Sequence, residues 1–156
     1  MLPTRMAEVS LRLDAFIPYR LSVTSNLVSE TIASAYQALF GLSIPEWRLI
    51  AVIAEDEGAT QQQVGRRTRM DKVTVSRATI GLVERGLVER HPHASDRRSQ
   101  SLHLSRTGRD LYSQVAPKAL ELERRIFASF DPKEVAAFGE MLDRVQEATL
   151  RVRQQA

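Results

Sequence analysis

The chain has 156 residues, 43% of them apolar and 26% charged, a balance that suits a folded domain and excludes a disordered polyelectrolyte. It contains no cysteine, which excludes a disulfide framework, thiol redox sensing and any cysteine-based metal site. The net charge of +3 conceals a division: residues 61–109 hold eleven basic and four acidic side chains, a net of +7, whereas the remainder nets −4. A basic block between acidic flanks is suited to a polyanion. No apolar run reaches membrane-spanning length, and the opening MLPTRMAEVS lacks the apolar core of a signal peptide, so a soluble cytoplasmic protein without a membrane partner is expected.

In chain order, Pro18 to Phe40 predicts one helix stopped by Gly41, with Leu21, Leu27, Val28, Ile32, Ala35 and Leu39 as its apolar positions. Ser43-Ile-Pro-Glu46 is a capping box that opens a helix from Pro45 to about Glu57, ended by Gly58. Thr60-Gln-Gln-Gln63 is a second box, opening a short helix to about Thr68. Asp71 caps a fourth helix that runs to about Arg85 and stops at Gly86. The apolar period then changes to two: Leu87, Glu89 and His91 alternate with Val88 and Arg90, and Leu102 and Leu104 with Ser101 and His103, which predicts a hairpin with a long polar tip. A helix from Ser105 or Thr107 to about Phe127 follows, with Pro117 expected to kink it. Asp131-Pro-Lys-Glu134, a third box, opens a last helix to about Val152. The fold class is mostly α with a small β-hairpin.

A short capped helix, a tight turn and a longer helix make a helix-turn-helix. Val64, Met70, Val75 and Ala78 supply its apolar contacts, and Gly65 is placed where the helices pack closest and a small residue is needed. The second helix opens with Lys72, Thr74, Ser76 and Arg77 in its first two turns, short hydroxyls and long cations of the kind that reach base edges and phosphates in a major groove. Thr60, Gln61, Gln62 and Arg66 of the preceding helix and Arg69 of the turn are assigned to DNA with them. The hairpin that follows is then a wing, and its Arg97 and Arg98 join the DNA-contacting set. If the turn requires a positive φ at residue 69, Arg69 costs on the order of 1 kcal/mol there.

From about Ser43 to Tyr112 the chain resembles the MarR family of bacterial transcriptional regulators. The resemblance is carried by Ser43-Ile-Pro-Glu-Trp47, Met70-Asp-Lys-Val-Thr-Val-Ser-Arg77, Leu82-Val-Glu-Arg-Gly-Leu-Val-Glu-Arg90, Asp96-Arg-Arg98 and Leu104-Ser-Arg-Thr-Gly108, in family order and spacing. The Ser-Gln-Ser after Arg98 lacks the glycine common in that family. The resemblance implies a winged helix-turn-helix over residues 43–105 and N- and C-terminal dimerisation helices over 1–42 and 106–156. The implied protein is a homodimeric repressor on double-stranded DNA with a palindromic operator. Two apolar stripes on the last helix suit the dimer, one of Val135, Phe138, Leu142, Val145 and Thr149, the other of Ala137, Met141, Ala148 and Val152. N-terminal Leu11, Leu13, Phe16 and Ile17 also need cover. The family pattern further implies that Asp96 pairs with Arg98 and braces the wing while Arg97 enters the minor groove, with the two arginines' roles open to exchange.

An input is expected from a small aromatic effector, a carboxylate or its CoA thioester, because the "PYRLS" stretch with Asn26 resembles family members that control aromatic-acid degradation. Tyr19, Val23 and Asn26 share a helical face with Arg20 beside it, and Trp47 and Arg48 begin the next helix. An aryl acid can stack on Trp47 or Tyr19 and pair with Arg20 or Arg48. Against this stands a core role for the rings and surface ion pairs for the arginines. No glycine-rich phosphate loop or catalytic constellation is present, so an enzyme is not expected, nor are a cofactor or a metal at His91, His93 and His103. The rival readings are an architectural DNA binder without sequence preference and a protein-interaction module on a winged fold.

Overall fold

The computed structural model describes residues 9–93, 95 and 98–156. Its helices are α1 (Ile17–Ala33), α2 (Gln37–Phe40), α3 (Ile44–Glu55), α4 (Gln61–Thr68), α5 (Lys72–Glu84), α6 (Arg106–Ile126) and α7 (Pro132–Gln155), with an antiparallel hairpin of β1 (Val88–Pro92) and β2 (Gln100–Leu104) between α5 and α6. Two compact units result, one ending at Ala116 and one formed by Pro117–Ala156.

The helix starts are chemically explicit. In all three boxes the cap's backbone N–H donates to the third residue's side chain: Ser43 to Glu46 at 3.0 Å, Thr60 to Gln63 at 2.9 Å and Asp131 to Glu134 at 3.0 Å. The Ser43 and Thr60 hydroxyls accept the reciprocal bonds from Glu46 and Gln63 at 3.2 Å. Asp71 caps α5 with both oxygens, accepting from the Thr74 N–H at 2.7 Å and the Thr74 hydroxyl at 3.0 Å. Those two bonds stabilise the carboxylate and hold the Asp71 pKa below its ordinary value.

The single helix expected over residues 18–40 is instead two. α1 ends at Ala33, and Ala35 and Tyr36 form tighter bonds to Ile32 and Ala33 before α2 begins. Two hydroxyls loosen the helix here: Thr31 donates to the Leu27 carbonyl at 2.8 Å and Ser34 to the Thr31 carbonyl at 2.6 Å. The break turns Ala33, Ala35 and Tyr36 inward, and all three are buried.

The core of the first unit joins Leu49, Ile50 and Ile53 of α3 to Val64, Val75, Leu82, Val88, Leu102 and Leu104, with Leu111 and Val115 from α6. The hairpin pairs Val88 with Leu104 and Arg90 with Leu102, so its root is apolar and its outer part polar. The root is also the tightest point of the unit. Gly86 adopts φ +69, the Ser105 hydroxyl donates to the Gly86 carbonyl at 2.6 Å, and the Ser105 and Leu87 backbones bond at 3.1 Å. The Gly108 N–H donates to the Ser105 hydroxyl at 3.0 Å, and a Cβ on Gly108 would stand 2.1 Å from the Leu87 carbonyl oxygen. At Gly65, where a small residue was expected to be needed, a Cβ would meet Met70 and Val75 at 3.5 and 3.7 Å, ordinary contact distances.

In the second unit Phe127 packs on Phe130 and Phe138, with ring centroids 5.7 and 6.3 Å apart. No described residue of α7 is buried, and Phe138, Met141, Val145 and Val152 are between 41% and 65% exposed.

The same substitution therefore has opposite signs at two glycines. Gly108→Ala forces the Leu87 backbone away and should cost about 1–3 kcal/mol of unfolding free energy, whereas Gly65→Ala should be neutral or add up to about 1 kcal/mol through helix propensity; urea titrations of both variants check this. A second expectation concerns acid. Because the folded pKa of Asp71 is depressed, its charge contributes stability above the unfolded-state pKa and loses it as pH falls through the folded-state value. The stability difference between the protein and Asp71→Asn should be full at neutral pH and shrink to nothing in acid, as thermal melts across that range measure.

Candidate nucleic-acid interface

The interface is built around the α4–α5 turn. Thr68 closes it, its hydroxyl donating to the Val64 carbonyl at 2.7 Å and accepting from the Met70 N–H at 3.3 Å. Arg69 sits between them at φ +57 and ψ +20, the left-handed conformation anticipated for it. No other described non-glycine residue has a positive φ. Val64, Val75 and Ala78 are buried between the helices, with Met70 half-buried at the edge.

The wing shares a backbone frame with α4. The Gly58 N–H donates to the Leu102 carbonyl and the Leu102 N–H to the Ala59 carbonyl, both at 2.9 Å, and Thr60 bridges to Ser101. The chain entering α4 is thus sewn to β2, which brings Thr60, Gln61, Arg66 and Lys72 around one concave surface with Arg98 and Gln100. Gln100, with its neighbours His93 and Ser99, is a wall that sequence reasoning did not assign. Only the hairpin register could have indicated it.

The assigned side chains fall into two groups. Gln62, Arg66, Arg69, Lys72, Arg77 and Arg98 are exposed, with Gln61 and Ser76 half-buried. Thr60 and Thr74 are instead engaged in caps, their hydroxyls bonded to Gln63 and Asp71. The basic block is divided in the same way. Arg67 pairs with Glu55, Arg85 donates to the Phe40 carbonyl, and Arg109 lies 3.9 Å from Glu57. These three serve the fold, whereas Arg66, Lys72 and Arg98 line the concave surface. Asp96 and Arg97 lie outside the described residues.

The histidines have partners of their own. His91 and His103 meet across the hairpin as a tilted pair with ring centroids 4.4 Å apart, His91 against Glu89 at 3.2 Å and His103 against Glu57 at 3.4 Å. Among the described residues no three His, Asp or Glu side chains are placed to share a metal ion.

For the effector residues, Trp47 is the middle ring of a stack, 5.4 Å from Tyr36 and 5.7 Å from Tyr112. Burial pushes the Tyr36 phenol above its ordinary pKa, with Arg48 opposing. Tyr19, Arg20, Val23 and Asn26 are exposed on α1, as is Arg48 on α3. Among the described residues Tyr19 makes no ring contact with Trp47, and neither Arg20 nor Arg48 forms an ion pair. No described helix is long and apolar enough to cross a membrane.

Comparison with known proteins agrees with this geometry. A family model described as MarR family matches residues 40–99. A MarR/EmrR family transcriptional regulator from Acinetobacter sp. ADP1 superposes with a TM-score of 0.82 at 23% identity, covering 90% of this chain and 99% of that one. A probable transcriptional regulator from Pseudomonas aeruginosa gives 0.75 at 27% identity, covering 86% and 99%. CouR from Rhodococcus jostii RHA1, solved bound to p-coumaroyl-CoA, gives 0.75 at 22% identity, covering 87% and 95%. No curated protein sequence matches the chain. The family model thus matches most of the winged module, and over most of its length the chain is similar in fold to solved MarR-family transcriptional regulators.

Proposed function

We propose that the chain is a sequence-specific, ligand-responsive repressor that acts in the cytoplasm as a homodimer on a palindromic operator and is released by a small aromatic acid or its CoA thioester. The observation that carries the DNA reading is α5. Its inner face is closed by Val75, Ala78, Thr79 and Leu82, and Lys72 and Arg77 are exposed on its first two turns beside the left-handed Arg69. Such a helix offers cations and short polar groups to base edges and phosphates from a rigid support. The wing adds Arg97 and Arg98, one for the minor groove and one braced by Asp96, a division supported by their spacing.

The homodimer reading is supported by apolar surface left without cover: Leu11, Leu13, Phe16 and Ile17 near the N-terminus and Phe138, Met141, Val145 and Val152 on α7 are all exposed. Stripes of this kind on terminal helices mark an association surface. The aromatic effector is supported by exposed Tyr19, Arg20, Val23 and Asn26 on α1 and Arg48 on α3, and by the half-buried Trp47. The likeness in fold to a protein that binds p-coumaroyl-CoA adds to this. Arg20 and Arg48, lacking carboxylate partners among the described residues, are the cations to receive an acid.

Selection of bound DNA from a random pool should yield a two-fold symmetric site with half-sites about one helical turn apart. On that site Arg77→Ala should cost about 1–3 kcal/mol. Arg69→Gly should raise unfolding stability by about 1 kcal/mol and lower the salt slope of binding by about 1. Binding indifferent to sequence would favour an architectural role, and no retention of DNA at any salt would favour a protein partner. Calorimetry against hydroxycinnamates, benzoates and their CoA thioesters should find a ligand that also releases the operator; silence across the panel ends the aromatic reading.

A further inference from the structure

The outward face of α5 carries a residue that the fold does not use and that no charge or hydrogen bond explains. At about 100° per residue, buried Val75, Ala78, Thr79 and Leu82 define the inner face of the helix, and Val73, Arg77 and Ile80 fall on the opposite one. Val73 is 58% exposed and Ile80 45%. An exposed apolar side chain is ordinary on a protein surface, so exposure alone carries nothing. The position of Val73 does. It stands in the first turn of α5, between exposed Lys72 and a Thr74 whose hydroxyl is tied to Asp71 at 3.0 Å. Arg77 lies one turn further along the same side, and Arg69 is in the adjoining turn.

Cations on both sides, with the nearby carboxylate of Asp71 already engaged in its cap, favour a polyanion over the apolar face of a protein partner. Within a DNA major groove one base edge is apolar, the C5-methyl of thymine, and small aliphatic side chains are its complement. We propose that Val73 reads a thymine methyl in each half-site. The inference rests on α5 being the recognition helix and adds a base identity to it.

The test uses the full chain and its selected operator, with thymines replaced one at a time by deoxyuridine. That base keeps every pairing and groove hydrogen-bonding atom and lacks only the methyl. At one thymine per half-site the replacement should weaken wild-type binding about fourfold, the worth of one buried methyl. Val73→Ala should bind the thymine and uracil operators equally, at the wild type's uracil level. Val73→Ala keeps a good helix former in α5, and its melting curve separates a lost contact from a lost fold. A wild type indifferent to every replacement, a penalty that survives undiminished in Val73→Ala, or half-sites without thymine would overturn the inference while leaving the DNA reading intact. A pool from which no sequence is enriched would overturn both.

Discussion

The contact between the Leu87 carbonyl and the α-carbon of Gly108 is the constraint on which the winged unit depends. A methyl group there would overlap a carbonyl oxygen, so the entry to the hairpin and the start of α6 approach each other backbone to backbone. Ser105 locks the junction from both sides, donating to Gly86 and accepting from Gly108. Between those two fixed points the chain has room only for a hairpin that leaves and returns at the same place. The apolar root of that hairpin, Val88 opposite Leu104, then completes the core begun by α3 and α5.

Fixing the root also fixes what the hairpin can reach. β2 bonds back to Ala59 and Gly58, the residues that lead into α4, so the wing and the helix-turn-helix form one frame and not two tethered parts. Charge is sorted by that frame. Arg67 and Arg109 pair with Glu55 and Glu57 and Arg85 donates to the Phe40 carbonyl, whereas Arg66, Lys72 and Arg98 line the concave side. The left-handed Arg69 costs on the order of 1 kcal/mol and places an exposed cation in the turn where glycine would be cheaper but uncharged.

Local chemistry was legible in the sequence and tertiary approach was not. The caps at Ser43, Thr60, Asp71 and Asp131 could be read because each is a contact between residues at most three apart, and Gly41, Gly58 and Gly86 could be read as stops because each takes a positive φ. The break after Ala33 was missed because its apolar spacing continues through Phe40; the cause is a pair of hydroxyls and the burial of Tyr36 against a residue in another helix. Gly65 was credited with a tight contact that belongs to Gly108, since closeness between distant segments leaves no local pattern. Thr74 illustrates the same limit in the interface: the residue type indicates a hydroxyl, and only the geometry reveals that the Asp71 cap occupies it.

The chain has a single tryptophan, and it lies between two tyrosine rings contributed from either side, Tyr36 before α2 and Tyr112 on α6. Energy absorbed by the tyrosines therefore passes to one emitter whose surroundings are the junction of three helices. The protein carries its own optical reporter at that junction. Any event that parts α3 from α6, by a bound molecule or by the first stage of unfolding, alters the emission of one identified ring, with no label introduced and no second indole to confuse the signal.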